Sequence, residues 1–301
     1  MNAIGVNGIE KSYGEVHALK GVSFDVPQGE LFGIIGPDGA GKTTLFRILT
    51  TLILADGGMA QVVGLDVVND YKEIRKKVGY MPGRFSLYQD LTVEENLNFF
   101  ATVFNTTVQE NYDLIKDIYV QIEPFKKRRA GALSGGMKQK LALCCALIHK
   151  PEVLFLDEPT TGVDPVSRKE FWDMLGRLKK QGIAIIVSTP YMDEASLCDS
   201  IALINEGLFL TIDTPAGIID SYPETIWAVE GSRMPQILTR LREVPQVKTA
   251  FAFGDVHHVT VEPDFSPDVL SEILHKEGFP DARVEAIKPN IEDAYMLLAG
   301  K

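Results

Sequence analysis

Residues 36–44 of the chain read GPDGAGKTT, and this stretch decides the fold. From Gly36 to Thr43 it fits the pattern G-x-x-x-x-G-K-[ST] at every position. The mostly apolar residues 30–35 before it predict a strand, and residues 43–51 after it predict a helix. A strand, a glycine-rich turn and a helix in this order place backbone amides and a helix amino end where phosphate groups bind.

The residue types of this loop each suit a triphosphate. The glycines let the backbone wrap closely, Lys42 places a charge between the β- and γ-phosphates, and the Thr43 hydroxyl is a ligand for Mg²⁺. The expected nucleotide contacts here are Gly36, Asp38, Gly39, Ala40, Gly41, Lys42, Thr43 and Thr44. We expect the Asp38 carboxylate to point away from phosphate, because like charges repel. The loop alone leaves ATPases, GTPases and kinases open, although the guanine-specificity pattern N-K-x-D is absent.

A second predicted strand lies at residues 153–156. It is fully apolar, and two acidic residues, Asp157 and Glu158, follow it directly. Buried strands do not end in paired acids for packing reasons, because burying unpaired charge is costly. We expect the strand to deliver Asp157 to the Mg²⁺ shell and Glu158 to polarise the water that attacks the γ-phosphate.

Outward from these two sites, strands and helices alternate, which predicts an α/β domain with a largely parallel sheet. Further strands are expected at residues 3–11, 16–26, 78–81 and 184–188, and helices at 92–104, 108–122, 134–149 and 166–181. On the helix at 134–149, Met137, Leu141, Cys144, Cys145 and Ile148 recur on one face. From residue 222 the pattern changes to a split β-α-β of ferredoxin-like order with a last helix. We therefore expect two domains, 1–221 and 222–301, with a helical insert at about 84–150 in the first.

Composition excludes several classes of protein. The 301 residues are 45% hydrophobic and 24% charged, so a core forms and global disorder is excluded. The net charge of −11 argues against a nucleic-acid partner, which usually meets a basic stripe. No apolar run is long enough to cross a bilayer, and the first residues lack the pattern of a secretory signal. Three cysteines without C-x-x-C spacing predict small buried hydrophobes rather than disulfides or zinc ligands.

Residues 133–137, LSGGM, make the sequence family-specific, because LSGGM followed by KQK resembles the signature of ATP-binding-cassette (ABC) ATPases. The physics is again an anion site, since Ser134 caps a helix beside two glycines with exposed amides. The resemblance runs from residue 1 to about 221. It implies the P-loop cassette fold, a mixed sheet core with an antiparallel β subdomain and a helical subdomain, followed by the small α+β domain.

The resemblance implies further roles and partners. Ser134, Gly135 and Gly136 contact the ATP held by an opposite subunit, so two ATPs join a head-to-tail dimer. Tyr13 matches the aromatic residue that stacks on adenine, and Asp164 matches the acid that acts across the dimer. The implied cofactors are ATP and Mg²⁺.

Two positions depart from the family pattern. Gly83 stands where the family usually has Gln, a Mg²⁺ ligand, and Pro190 stands where it usually has His, a contact of the γ-phosphate. Neither side chain donates a hydrogen bond or binds a metal. We expect an ATPase that holds ATP well and turns over slowly. Gln89 either substitutes for the missing Gln or is an exposed loop residue.

The segment around residues 79–92 and the ending IEDAYMLLAGK resemble the export branch of the family. This implies a cytoplasmic ATPase subunit on the inner face of the membrane, a homodimer or a paired ABC ATPase, that docks on separate transmembrane permease subunits near residues 83–90. Some relatives carry two cassettes in one polypeptide, so a fragment of a longer protein is the alternative to a homodimer. The alternative function is a non-transport ABC protein, regulatory or associated with ribosomes or DNA.

Overall fold

The structure is a computed structural model that describes residues 2–300 of the chain. It divides into two compact units, with the boundary between Pro215 and Ala216. The boundary that the sequence suggests lies a few residues later, at 221/222, and that domain assignment stays a prediction. Each unit has its own sheets and its own core, so each is described by itself.

Ten strands and most of the helices belong to the first unit. The strands are β1 (Asn2–Tyr13), β2 (Val16–Pro27), β3 (Leu31–Ile35), β4 (Gly57–Val62), β5 (Leu65–Asp66), β6 (Val78–Met81), β7 (Val153–Asp157), β8 (Ala184–Thr189), β9 (Ser200–Asn205) and β10 (Leu208–Asp213). The helices are α1 (Lys42–Leu49), α2 (Tyr71–Lys77), α3 (Val93–Val103), α4 (Tyr112–Tyr119), α5 (Gly135–Leu147), α6 (Pro165–Lys180) and α7 (Pro215–Asp220), which begins at the last residue of the unit. Short 3₁₀ helices lie at Glu123–Phe125, Ala130–Ala132 and Met192–Leu197.

The larger sheet positions the site. Its six strands follow the order β10-β9-β3-β8-β7-β6, and every neighbouring pair except β9–β10 is parallel. The register sets Ile35 opposite Thr189 and Asp157 opposite Ser188. Because the carboxyl ends of parallel strands meet at one edge, the residues that follow β3, β6, β7 and β8 come together there.

A second sheet, antiparallel throughout, has the order β2-β1-β4-β5, and α1 contacts strands of both sheets. The core between them is aromatic in part: the Phe46 ring meets Phe155 edge-on at 5.7 Å, and Phe24 stacks on Phe32 at 5.4 Å. Every residue of β3, β7 and β8 is buried, as expected for parallel strands covered on both faces. This core holds the strand ends rigidly.

The helical region shows two differences from the predictions. The helix expected at residues 108–122 is only α4, because Thr107 and Glu110 exchange hydrogen bonds in a turn before it and Pro124 opens a 3₁₀ helix after it. The predicted face of α5 is buried at Leu141, Cys144 and Cys145, but burial is not confined to that face. Leu143 and Leu147 are as buried as Leu141, so α5 is enclosed on several sides.

The three cysteines lie in the interior of the protein. Cys144, Cys145 and Cys198 are free and buried, and burial raises the pKa of each thiol, which makes them unreactive packing residues.

Over residues 2–300 no helix combines the length and the apolar character that a bilayer crossing requires.

The second unit is an antiparallel sheet with helices. Its strands are β11 (Ile226–Glu230), β12 (Val247–Phe253), β13 (Val256–Val261) and β14 (Arg283–Ile287), and its helices are α8 (Met234–Leu241), α9 (Pro267–Lys276) and α10 (Ile291–Ala299). The strand order is β12-β13-β11-β14, all antiparallel. This is the split β-α-β order that the sequence predicts, so the expected α/β cassette with a ferredoxin-like α+β tail is confirmed.

Candidate functional site

The phosphate loop leaves β3 and enters α1, as predicted. Gly41 precedes the helix with φ of 107°, and no side chain caps the amino end of α1. A Cβ at Gly36 would lie 2.2 Å from the Ile204 carbonyl oxygen, and one at Gly41 would lie 2.4 Å from that of Ala18. Glycine is therefore required at both positions, and the amino end of α1 stays open to an anion.

Lys42 is almost wholly buried at the start of α1. Its Nζ donates to the carbonyl oxygens of Gly36 at 2.8 Å and Pro37 at 2.9 Å, and it lies 3.3 Å from Oε1 of Glu158. The ammonium group thus lies over the loop it belongs to, beside the acid that follows β7. A fixed charge at this position suits a phosphate group bound in the loop.

Thr43 and Asp157 meet across the edge of the sheet. The Thr43 hydroxyl donates to Oδ1 of Asp157 at 3.1 Å, and the Ser188 hydroxyl donates to the same oxygen at 2.7 Å. The atoms that could ligate a metal here are all oxygens, and one belongs to a buried carboxylate. Mg²⁺ prefers such oxygen ligands. The residues therefore fit a Mg²⁺ ion held by Thr43 and Asp157 beside bound phosphates.

Glu158 follows directly in an unusual backbone conformation, with φ of 50°. Its amide donates to both the carbonyl oxygen and the hydroxyl of Ser188, at 3.0 and 3.1 Å. Such left-handed backbone costs about 1–3 kcal/mol for a non-glycine residue, so the neighbouring strand must hold it. Ser188 is the residue that sequence reasoning missed: one hydroxyl orients Asp157 and supports the Glu158 turn.

Tyr80 lies on β6, next to the strand that ends in Asp157. Burial, and then the nearby negative charge of Asp157, raise the pKa of Tyr80 to about 12, so its hydroxyl stays neutral at physiological pH.

The two positions that depart from the family pattern lie at the same edge. A Cβ at Gly83 would lie 3.1 Å from the carbonyl oxygen of Asp157, so Gly83 sits directly against the acids. Pro190 follows Thr189, whose carbonyl oxygen accepts the amide of Gly36 at 3.2 Å. Gln89 is exposed and lies beside Gly131, in keeping with the interpretation as a loop residue.

A buried carboxylate ties two of these loops together. Glu194, 1% exposed, accepts hydrogen bonds from the hydroxyls of Thr160 at 2.7 Å and Thr189 at 2.5 Å. Arg168 lies 3.6 Å from the same carboxylate and over the ring of Tyr191 at 4.2 Å. Glu194 thereby fixes the backbone on both sides of Pro190.

The signature residues form a separate group. Ser134 caps α5, accepting the Met137 amide at 3.4 Å, while Gly136 packs against Ser167. Asp164 caps α6 through the Ser167 amide, a bond that lowers the pKa of its carboxyl. Within the described part of the chain, no hydrogen bond or ion pair joins Ser134, Gly135 or Gly136 to the phosphate loop.

Two further predicted contacts are exposed. The Tyr13 side chain is 48% exposed at the end of β1, with Lys11 Nζ 5.8 Å from its ring centre, and Asp38 faces solvent at the tip of the loop. The strand paired with β1 reaches the loop at Ala18, which touches Gly41. An exposed aromatic ring near the loop is free to stack on a base.

An apolar groove of about 420 Å³ lies next to Met81 and Pro82. Its other walls include Leu52, Leu87, Val103, Phe104, Ala142 and His149. Leu52 and Val103 are more than half exposed, an unusual position for large apolar side chains in one groove. His149 stacks on Phe104 at 3.8 Å, and burial lowers its pKa, so the groove is uncharged there near neutral pH.

Comparisons with known proteins identify related sequences. Residues 19–161 match the family model of the ABC transporter. The chain is 37% identical over 305 residues to a probable multidrug ABC transporter ATP-binding protein, YbhF of Escherichia coli (strain K12), covering 99% of this chain and 52% of that protein. It is 34% identical over 325 residues to the daunorubicin resistance ATP-binding protein DrrA2 of Streptomyces coeruleorubidus, covering 99% and 95%.

A solved structure shares the first unit's fold. It is cbiO1 from Clostridium perfringens, part of the ABC transporter complex cbiONQ, with a TM-score of 0.65, 26% identity, and coverage of 73% of this chain and 91% of that one. The chain spans about half the length of YbhF and nearly all of DrrA2. Phosphate loop, paired acids, signature and relatives agree, and the chain belongs to the ATP-binding proteins of the ABC transporter family.

Proposed function

We propose that the chain binds and hydrolyses ATP to power an ABC-type exporter. The observation that carries the proposal is the meeting of four groups at one sheet edge: Lys42 Nζ lies 3.3 Å from Glu158, and the Thr43 hydroxyl lies 3.1 Å from Asp157. A cation, two magnesium ligands and a carboxylate at the edge of a phosphate loop are the parts that phosphoryl transfer to water needs.

Each residue has one task in this reaction. The amides at the start of α1 and the Lys42 ammonium hold the β- and γ-phosphates, and Thr43 with Asp157 holds Mg²⁺. When bound, the metal would neutralise part of the phosphate charge. Glu158 orients the attacking water and takes its proton, and Ser188 keeps both acids in place.

Hydrolysis is slow in this proposal because two groups are missing from the same edge. Gly83 lies against Asp157, and Pro190 follows the residue whose carbonyl oxygen accepts the Gly36 amide, but neither offers a side-chain donor or a metal ligand. The groups that bind ATP in the ground state are present, whereas two groups that would further stabilise the charge of the transition state are absent, so the turnover falls more than the ATP affinity.

The signature implies a second cassette, in another copy or another polypeptide. Ser134, Gly135 and Gly136 form an exposed helix start that makes no hydrogen bond to this chain's own loop within residues 2–300. We infer that these residues, with Asp164, meet the ATP of the second cassette. ATP binding then closes the pair, and hydrolysis reopens it.

The apolar groove beside Pro82 is the proposed attachment to separate permease subunits, which places the chain at the inner face of the membrane. The groove shares the loop after β6 with the catalytic edge, so closure of the site reaches it directly. Export is supported by the names of relatives, one a drug-resistance and one a probable multidrug protein.

The attachment is tested by flotation of membranes from the organism that encodes the chain. Wild-type protein floats with the membranes, whereas Val103→Asp, which charges the groove, stays in the soluble fraction. Val68→Asp charges a similarly exposed valine outside the groove and floats like the wild type. Wild-type protein that stays soluble, or Val103→Asp that floats equally, contradicts the proposal.

A further inference from the structure

The sheet of the second unit has two faces of different character. One face packs on α8 and α9, with Val229, Ala250 and Val259 buried among Ile237 and Leu270. This face is wholly apolar apart from His257, whose Nε2 bonds to the Met234 carbonyl oxygen at 2.7 Å. It serves as the core of the unit.

The opposite face is polar at its centre. His258 and Thr260 alternate with the core residues of β13, and the register places Phe251 opposite His258 and Thr249 opposite Thr260. His258 is 8% and Thr260 4% exposed, because α10 covers them. Buried polar side chains need partners, and their arrangement here is specific.

His258 is fixed from two directions. Its Nδ1 lies 2.7 Å from Oδ1 of Asp293, and its ring stacks on Phe253 at 4.2 Å. Asp293 is 5% exposed, and its Oδ2 accepts a hydrogen bond from the amide of Asn290 at 2.8 Å. This bond fixes the carboxylate in the first turn of α10. A neutral imidazole that donates from Nδ1 to this carboxylate has Nε2 as an acceptor.

Nε2 of His258 makes no hydrogen bond to another described residue, and it borders a cavity of about 220 Å³. The hydroxyls of Thr249 and Thr260 lie 2.7 Å apart at the same cavity. One of them donates to the other, so the pair keeps one spare O–H donor. With a neutral imidazole, His258 and the threonine pair therefore present one acceptor and one donor to the cavity.

The rest of the described wall is apolar apart from the Tyr222 hydroxyl and the Asp293 carboxylate, and both carboxylate oxygens already have hydrogen-bond partners. Ile226, Phe251, Met296 and Leu297 line it, together with Tyr222. Burial, and then the charges of Asp293 and Glu224, raise the pKa of Tyr222 to about 12, so its hydroxyl stays neutral. Among residues 2–300, the charged groups near the cavity are acids apart from Lys248, which pairs with Glu224 at 3.4 Å, and this disfavours an anionic ligand.

We propose that this cavity binds a small, mainly apolar molecule with a single hydroxyl group, of the phenol class. The ligand hydroxyl donates to Nε2 of His258 and accepts from the threonine pair, and its ring lies among Phe251, Met296 and Leu297. Apolar walls with a few convergent polar groups are typical of small-molecule sites. The site lies within the second unit, and the inference does not depend on ATP hydrolysis.

The test uses the full chain and ¹⁹F NMR with three matched probes: 4-fluorophenol, fluorobenzene and 4-fluorobenzoate. We expect saturable binding of one 4-fluorophenol per chain with a dissociation constant on the order of 1 mM. Fluorobenzene lacks the hydroxyl and binds at least about tenfold more weakly, since the cavity's polar groups are then unpaired. This comparison needs no variant.

Two variants locate the site. His258→Phe keeps a ring against Phe253 but removes the acceptor, and it weakens 4-fluorophenol about tenfold. Thr260→Val removes one hydroxyl at nearly constant shape and weakens binding about threefold, while Thr239→Val, the same change on an exposed turn of α8, has no effect. Circular dichroism verifies that each variant is folded.

Three outcomes with the wild-type chain overturn the inference. They are no saturable binding of 4-fluorophenol, equal binding of fluorobenzene, and tighter binding of 4-fluorobenzoate. Binding that is unchanged in both folded variants also overturns it, because the probe then sits elsewhere.

Discussion

Two pairs of loops meet at one edge of the parallel sheet, and they differ in chemistry. The chain that follows β3 brings Lys42 and Thr43, and the end of β7 brings Asp157 and Glu158. Lys42 pairs with Glu158, and Thr43 bonds to Asp157. The loops after β6 and β8 lie against them but carry Gly83 and a proline. The comparison teaches that ATP binding and fast turnover are separable here: the first pair of loops carries the groups that hold the nucleotide together with the base, whereas the second pair lacks the groups that would speed the reaction.

The largest effect on turnover is expected at Glu158, in the first pair of loops. Glu158→Gln removes the base and the remaining hydrolysis falls on the order of 10³-fold, while ATP still binds. The variant accumulates as an ATP-bound dimer on size exclusion with Mg²⁺. Glu152→Gln, an exposed acid paired with Lys77, behaves like the wild type. A Glu158→Gln chain that stays monomeric with ATP contradicts the dimer proposal.

Lys42→Met should weaken ATP binding about 100-fold, since a charge-assisted contact to phosphate is lost from a site where the ammonium is already buried. Isothermal titration of ATP measures it. Lys72→Met removes an exposed lysine of α2 and leaves the affinity unchanged. An unchanged affinity in Lys42→Met would falsify the assignment of the loop.

The loops after β6 and β8 can be given the polar side chains that they lack. Gly83→Gln with Pro190→His adds a metal ligand and a donor, and we expect turnover to rise about tenfold with little change in ATP affinity. The matched control, Gly83→Leu with Pro190→Ala, alters the same positions without adding a polar group and gives no increase. An equal increase in the control would show that backbone flexibility, not chemistry, limits the rate.

The smallest effect concerns Ser188. Ser188→Ala frees one oxygen of Asp157 and loosens the Glu158 turn, so turnover falls about threefold, in line with the loss of one neutral hydrogen bond. Phosphate release measures it, and Ser196→Ala, an exposed serine nearby, is the control. No change in Ser188→Ala would assign the positioning of Asp157 to its strand alone.

Sequence patterns identify the parts of the fold that carry local signals. The apolar runs of β3, β7 and β8 predict buried parallel strands, and the glycine motif places α1 correctly. Strands β4, β5, β9 and β10 and helix α2 are not anticipated. β4 begins with two glycines and pairs with β1 across about fifty residues, and no local pattern encodes such a partner.

The same limit applies to the site. Lys42 and Thr43 follow from a motif, whereas Ser188 becomes visible only when the register sets β8 beside β7. His258 with Asp293 is a similar case, because 35 residues separate them and the sheet brings them together. The two neighbouring histidines also differ, because side chains alternate along a strand: His257 meets the Met234 carbonyl oxygen on one face, and His258 meets Asp293 on the other.

One measurement tests the separation of binding from turnover most directly. The ATP dissociation constant and the steady-state rate of phosphate release are determined on the same sample of the wild-type chain with Mg²⁺. Our account predicts saturable ATP binding with a turnover well below about 1 s⁻¹, the lower end of ordinary enzymes. A turnover of about 10 s⁻¹ or more, near the median for enzymes, would contradict it.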